Sequence, residues 1–198
     1  MTDIIDRLAG VRPGGSVDAL RRHRPATRDN AQASYDALFT EPDQTHATLA
    51  ERAAVAQFVA ILHVDEVAAA HYGALTRATG GDALADAVAD AADAARTEGP
   101  YGEYPPDGPL AAEGVPGPRL ALEDDARAAV GGRLSAALEH AHLLVFRPRE
   151  SSAAALATLA DAGWSTDGIV TLSQLVSFLA FQLRVASGLR LLTTKDAA

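Results

Sequence analysis

Helix-forming residues dominate almost every part of this sequence. Alanine is abundant, β-branched residues are sparse, and no segment alternates convincingly between apolar and polar residues. Alanine has the highest helix propensity, whereas β-branched residues favour strands. A strand that buries one face also needs alternation with a period of two. The chain is therefore predicted to be all-α.

Breaks in the helical pattern divide the chain into four parts. The 198 residues suit a single domain with a sizeable core. A helical extension (1–44) precedes a first group of core helices (45–96), a Pro/Gly-rich segment (97–122) and a second group of core helices (123–198). Both groups run from an N-cap through an apolar helix to small residues, a pattern that allows an internal duplication of helical units.

Turn chemistry predicts where the early helices begin and end. Gly10 and Pro13 stop a first helix over 2–9. Ser16 can cap a second helix, which Pro25 ends. Either Thr27 or Asp29 can then cap a third helix that continues to about Phe39.

The later helices have equally local signals. Caps at 45–48 begin a helix that runs through HVDEVAAAHY, residues 63–72, and stops at Gly80 and Gly81. Because few globular helices exceed about 25 residues, a bend is predicted at 63–65. Gly131 and Gly132 are predicted to bend the helix that begins near 123, or to admit a close neighbour. The next helix starts at a serine and stops at Gly163.

The segment 97–122 contains six prolines and has no helical periodicity. It can be a flexible linker, an ordered loop over a site, or an arm that grips a partner subunit. An ordered loop is favoured, and its anchors would be apolar or aromatic side chains: Tyr101, Tyr104, Leu110 and Val115.

The final helix, which begins at Ser165 or Thr166, is strongly apolar along one broad face. A helix of this kind is usually the centre of a bundle or a subunit interface. Its interior nevertheless contains Gln182 and Arg184. A buried arginine must be paired, so Arg184 is predicted to contact an acidic residue of another helix or subunit, in a structural role.

The overall charge argues against nucleic acid as a partner. The net charge is −9, and an acidic surface repels phosphate backbones. The basic group Arg21, Arg22, His23 and Arg24 is interpreted as a solvated helix end. Neither a signal peptide nor an uncharged apolar run of about 20 residues is recognisable. A cytoplasmic protein without membrane contacts is expected.

The chain has no cysteine, which excludes disulfides, thiolate metal ligands and cysteine-based peroxidase chemistry. A Gly-rich phosphate loop after a strand and a G-x-S-x-G elbow are also missing from the sequence. No cofactor is predicted.

The stretch 63–72 holds the most suggestive group of titratable residues. Glu66 is three residues from His63 and can reach it on a helical surface. This single pair is insufficient for a metal site, so none is predicted. His71, between small alanines and Tyr72, is expected to be partly buried. An imidazole there can act as a base or proton shuttle, or can simply be a hydrogen-bonded core residue.

A second histidine pair occurs in LEHAHLL, residues 138–144. His140 and His142 point about 200° apart on a helix, so at most one of them is expected to face a pocket. Glu139 is a possible partner. Structural roles are favoured for both histidines.

The block LAERAAVAQFVAILHVDEVAAAHYGAL, residues 49–75, resembles the core helix pair of the carboxymuconolactone decarboxylase/alkylhydroperoxidase D superfamily. Its members carry an acidic residue near the start of one helix and C-x-x-C-x-x-x-H at the start of the next. By this resemblance, Val64 and Val67 occupy the two cysteine positions and His71 the histidine position. The acidic position falls at Glu51 or, in the register used here, at Arg52.

The block ADAGWSTDGIVTLSQLVSFLAFQLRVASGL, residues 160–189, resembles the closing helices of the peroxidase-related branch. There a helix follows a W-S or L-S turn and carries a polar residue and an arginine late, as Gln182 and Arg184 do here. The resemblance implies an alkylhydroperoxidase D-like helical bundle that assembles as dimers, trimers or hexamers. It also implies a label such as peroxidase-related or antioxidant protein.

Two hypotheses about function follow. Thiol peroxidase chemistry needs a thiolate, which valine cannot supply. The decarboxylase branch uses proton transfer instead, so His71, with Glu51 as a relay partner, can be the acid or base of a cofactor-free enzyme acting on a small organic acid or lactone. Alternatively, the protein is a non-catalytic member that binds a ligand or supports an active partner protein.

Overall fold

The computed structural model describes residues 3–195, and in this range the chain is all-helical, as predicted. The α-helices are α1 (Ile4–Ala9), α2 (Ser16–Arg22), α3 (Pro25–Tyr35), α4 (Leu49–Leu62), α5 (Glu66–Gly80), α6 (Asp82–Ala94), α7 (Asp124–Val130), α8 (Gly132–Phe146), α9 (Ala153–Asp161) and α10 (Thr166–Lys195). A π-helical segment, Asp36–Thr40, extends α3 to about the predicted end.

Helix α4 lies at the centre of the fold. It packs against α5, α6, α8 and α10, and most of its side chains are buried. Thr48 and Glu51 form a reciprocal capping box at its start, which satisfies two free backbone N–H groups. The predicted cap at 45–48 is therefore confirmed.

The predicted break at 63–65 is also confirmed. Helix α4 ends at Leu62, Val64 adopts a left-handed backbone conformation with φ of 56°, and Asp65 caps α5 by accepting from the Ala68 N–H. Valine is an unusual residue for this conformation, because its β-branch crowds the backbone. His63 and His71 are consequently not on one continuous helix.

The glycine pair at 131–132 separates two helices. Gly131, with φ of 84°, stands between α7 and α8. Ser165 begins α10 by accepting from the Gly168 N–H at 3.1 Å.

Two predicted caps in the extension are wrong. Gly15, not Ser16, precedes α2, and Arg24, not Thr27 or Asp29, precedes α3. Pro25 begins α3 instead of only ending α2, because its missing N–H is not needed in a first helical turn.

The interpretation of 21–24 as a solvated helix end is wrong for Arg21. Its side chain is 9% exposed and contacts Asp3 and Asp6, both at 2.6 Å. Arg28 contacts the same two carboxylates and also Asp18. This cluster joins α1, α2 and α3 and is more extensive than a surface ion pair.

The segment 97–122 makes ordered contacts with the end of α8 and the residues after it. The Tyr101 N–H donates to the Phe146 carbonyl at 2.6 Å, and the Arg149 guanidinium lies 3.4 Å from the centre of the Tyr104 ring. The side chains of Leu110 and Val115 are 41% and 46% exposed. The two tyrosines therefore act as anchors, and the other two predicted anchor side chains do not.

Helix α10 has a core side and an open side. Leu172, Leu175, Leu179 and Leu183 are buried. The span Thr166–Thr194 is long and apolar enough to cross a membrane. The core helix of a soluble protein can have the same length and composition, and 39% of the most apolar 18-residue stretch of α10 is buried inside the fold. The length and composition of α10 are therefore weak evidence for a membrane span.

Candidate functional site

His71 lies on α5 and is half-buried against aromatic rings. Its Nε2 is 2.9 Å from the Tyr35 hydroxyl, and its ring centre is 4.9 Å from that of Tyr72. Tyr35 comes from the end of α3, so the N-terminal extension completes the surroundings of this histidine. No resemblance or spacing pointed to Tyr35.

Burial and, to a smaller extent, the positive charge of Arg7 lower the pKa of His71 to about 4. The imidazole is therefore neutral at physiological pH. The partner of His71 in its hydrogen bond is a hydroxyl group, and no carboxylate contributes to the shift of its pKa. It is a weak base without a charged partner.

Tyr72 and Gln182 form a fully buried pair that joins α5 to α10. The Tyr72 hydroxyl donates to the Gln182 Oε1 at 2.5 Å. Burial raises the pKa of Tyr72 strongly, so its hydroxyl stays protonated. Both residues are part of the core next to His71.

Glu51 is not brought to His71. It hydrogen-bonds to Thr48 in the α4 cap and forms an ion pair with Arg133 at 2.6 Å. The neighbouring Arg52 is buried and donates to the Ala47 carbonyl. Neither of the two residues that the resemblance aligns with the family's acidic position is hydrogen-bonded to the histidine, so the expected proton relay is not formed.

Val64, which the resemblance aligns with the first cysteine, lies in the break between α4 and α5, and Val67, aligned with the second, lies in the first turn of α5. Val64 is 63% exposed and Val67 is 48% exposed. His71 lies one turn beyond Val67 on α5. The geometry places the three positions along one end of the helix, but neither valine carries a nucleophile.

His63 is half-buried, whereas Glu66 is exposed. The Nε2 of His63 is buried without a hydrogen-bond partner, so the predicted pair with Glu66 is not formed. Burial and the nearby charge of Arg184 lower the pKa of His63. Among residues 3–195, no group of three or more histidine and acidic side chains is arranged to hold a metal ion.

Within residues 3–195, the structure gives Arg184 no acidic partner on another helix, and the alternative partner on a second subunit stays a prediction. The Arg184 side chain is exposed and donates to the Ala180 carbonyl, one turn earlier on α10. An exposed arginine needs no acidic partner, because water solvates its charge.

A cavity of about 330 Å³ lies between α8, α9 and the segment 97–122. Both His140 and His142 contribute to its lining, so the expectation that at most one faces a pocket is wrong. The Nε2 of His142 is also 3.2 Å from the Ala95 carbonyl. The remaining polar lining residues include Arg119, Arg147 and Glu150, which sequence reasoning missed.

The sequence was compared with protein-family models and with curated proteins, and neither comparison gave a match. Membership of the carboxymuconolactone decarboxylase/alkylhydroperoxidase D superfamily is therefore a proposal that rests on the two blocks at 49–75 and 160–189.

Proposed function

We propose that this protein is a cysteine-less, non-catalytic member of the carboxymuconolactone decarboxylase/alkylhydroperoxidase D-like superfamily. It is a cytoplasmic homo-oligomer, a dimer, trimer or hexamer, and supports a peroxidase-related partner. The paired helices α4 and α5 and the long closing helix α10 agree with the blocks that carry the resemblance.

The observation that carries the proposal is an open stripe on α10. Its positions are spaced alternately three and four residues apart, are uncharged, and are all exposed or half-buried. This is the spacing of a heptad seam between helices. The positions, called the α10 seam below, are Thr171, Gln174, Phe178, Phe181, Val185, Gly188 and Leu192. Phe181 and Leu192 are 42% and 41% exposed.

Gly188 is not explained by packing within the chain. A Cβ atom at this position would meet nothing within 4 Å. Glycine in a helix interior costs about 1 kcal/mol relative to alanine. A second helix that approaches closely at Gly188 would account for this residue.

The α10 seam can pair with itself. In an antiparallel arrangement with a two-fold axis near position 183, Phe178 of one copy lies opposite Gly188 of the second. Phe181 then lies opposite Val185. Large residues thus meet small ones in successive layers, as close packing of helices requires.

The test is the mass of the native protein by light scattering. We expect a multiple of the 20.5 kDa chain. Phe181→Glu should give monomers, because a charge would be buried at the seam. Gly188→Leu should also weaken assembly, because a leucine side chain prevents the close approach of a second helix. The same substitution raises the helix propensity of α10, so a loss of assembly could not be explained by a less stable helix. Leu156→Glu changes an exposed leucine on α9 and is the matched control. A monomeric wild-type protein would overturn the proposal.

A second candidate is cofactor-free acid–base chemistry at His71 on a small organic acid or lactone. The Tyr35–His71 hydrogen bond favours it, because a neutral imidazole next to a hydroxyl can pass a proton. It ranks second because the pKa of His71 is about 4. If such turnover is found, His71→Ala should abolish it and Tyr35→Phe should reduce it; unchanged turnover in His71→Ala would exclude this candidate.

A further inference from the structure

The cavity between α8 and α9 has a polar end built around one half-buried carboxylate, that of Glu150. Arg147 is 3% exposed and holds Glu150 through two of its nitrogens, with Nε to Oε2 at 2.8 Å. Arg119 reaches the same carboxylate at 2.5 Å, but its side chain is 70% exposed. Two guanidinium groups therefore share one carboxylate. The charge of Glu103 also acts on Arg147, and that of Arg149 acts on the shared carboxylate. These two opposite charges offset each other, so one surplus positive charge is left at this end.

The other acidic lining residue does not cancel that charge. Glu139 accepts from the Leu122 N–H at 2.9 Å and forms an ion pair with Arg127 at 2.5 Å. Its charge is thus already compensated. The cavity is locally cationic in a chain whose net charge is −9, so a small anion is the ligand that fits its electrostatics.

Arg119 is the group that can turn to a ligand. Glu150 keeps its buried partner Arg147 if Arg119 leaves. An exposed ion pair contributes little stability, so moving Arg119 from Glu150 to a bound carboxylate costs little.

The start of α9 adds to the positive potential. Ser152 caps this helix by accepting from the Ala155 N–H at 3.3 Å, and Ser152, Ala154 and Ala155 all line the cavity. The first backbone N–H groups of a helix have no intrahelical partner and carry a partial positive charge.

His140 supplies a second, independent sign of a ligand. It lines the cavity, is 5% exposed, and its buried Nδ1 has no hydrogen-bond partner. Its Nε2 is 3.5 Å from the Ser173 Oγ, at the limit of a hydrogen bond. A buried polar nitrogen without a partner is costly. A hydroxyl group would satisfy it in either tautomer, because a hydroxyl both donates and accepts.

The rest of the lining is apolar. Leu120, Ala136, Leu143 and Leu159 form much of the wall. The volume of about 330 Å³ lies at the lower end of the range of ligand sites, about 300–1,000 Å³. It suits a molecule with one small ring or a short branched chain.

From these features we infer that the α8–α9 cavity binds a small hydroxycarboxylic acid with an apolar body. The carboxylate lies against Arg119 and the start of α9, the apolar body against the leucines, and the hydroxyl group at His140. This site is separate from both the α10 seam and His71.

Calorimetric titration of the full-length protein with mandelate tests this inference. Phenylacetate lacks the hydroxyl group and should bind about tenfold more weakly, as expected for the loss of one hydrogen bond to a buried group. Mandelamide lacks the negative charge and should also bind about tenfold more weakly. Equal binding of the three compounds would overturn the proposed ligand class, and no binding of mandelate at about 10 mM would overturn the site.

Two pairs of variants locate the binding. Arg119→Ala should weaken mandelate binding about fivefold or more while leaving mandelamide unchanged, whereas Arg96→Ala, an exposed arginine outside the cavity, should change neither. Ala155→Phe should fill the cavity and abolish binding, whereas Ala157→Phe places the same ring on an exposed position of α9 outside the lining. Unfolding curves verify that each variant is folded. Mandelate binding that survives in folded Ala155→Phe would contradict the location.

Discussion

His71 and His140 are both buried to a large extent in core helices, and burial lowers the pKa of each, yet their surroundings differ. His71 has a hydroxyl partner and aromatic neighbours. His140 has a buried nitrogen without a partner and borders a cavity. The histidine with the motif-like spacing has a hydrogen-bond partner for its Nε2, whereas the histidine without a motif has an unpartnered nitrogen and borders the cavity. The spacing alone did not indicate which of the two lies beside a cavity.

The largest expected difference between the two regions is in packing. Tyr72 next to His71 is fully buried, so Tyr72→Ala should lower the free energy of unfolding by about 3–5 kcal/mol. Leu143→Ala next to His140 should cost about 1–2 kcal/mol, because Leu143 is half-buried and already borders a cavity. Urea unfolding monitored by circular dichroism measures both values. Equal losses would show that the two regions are packed alike.

The second prediction concerns pH. The folded pKa of His71 is about 4, below the value of about 6.5 in an unfolded chain. Between these values the unfolded state binds the extra proton, so stability is complete above pH 6.5 and is lost as the pH falls toward 4. The contribution of His71 is at most about 3 kcal/mol.

The contribution of His71 is measured by comparing the pH dependence of the unfolding free energy in the wild-type protein and in histidine variants. His71→Gln should flatten the fall in unfolding free energy between pH 6.5 and 4, whereas His23→Gln at an exposed position should leave the wild-type slope. The same slope in wild type and His71→Gln would mean that this imidazole titrates normally. His140→Gln should flatten the curve in the same direction, since burial also lowers the pKa of His140.

The smallest predicted effects come from the hydroxyl partners. Tyr35→Phe removes the hydrogen bond at 2.9 Å to His71 and should cost about 1 kcal/mol. Ser173→Ala removes a contact with His140 at 3.5 Å and should cost less than about 0.5 kcal/mol, because that distance is at the limit of hydrogen bonding. Thermal unfolding of the two variants checks the order. A larger loss in Ser173→Ala would show that His140 is held more firmly than His71.

Local signals in the sequence were sufficient to predict the helices. The cap at Thr48 and the break at 63–65 depend on residues within a turn or two of one another. At Gly131 the predicted bend is instead the end of one helix and the start of the next. Pro25 shows the limit, because proline can end one helix and begin the next and only the backbone path decides which.

The candidate sites depend on contacts between residues that are far apart in the sequence. Most of their residues could therefore not be predicted from local sequence signals. Tyr35 is 36 residues from His71, and Arg119 reaches Glu150 from a segment without periodicity. Arg21 and Arg184 carry the same charge in helices, but one is paired in the interior and the other is solvated. Composition alone cannot distinguish these environments, because burial is set by the neighbouring helices.

Arg190 has a consequence for how the chain is made. It donates to the Leu8 carbonyl at 3.0 Å and also pairs with Asp65 at 2.5 Å. The first of these contacts joins residues 182 positions apart in the chain. During synthesis, the hydrogen bond between Arg190 and the Leu8 carbonyl of α1 can therefore form only after most of α10 has been made. Contacts between residues so far apart in the chain slow folding.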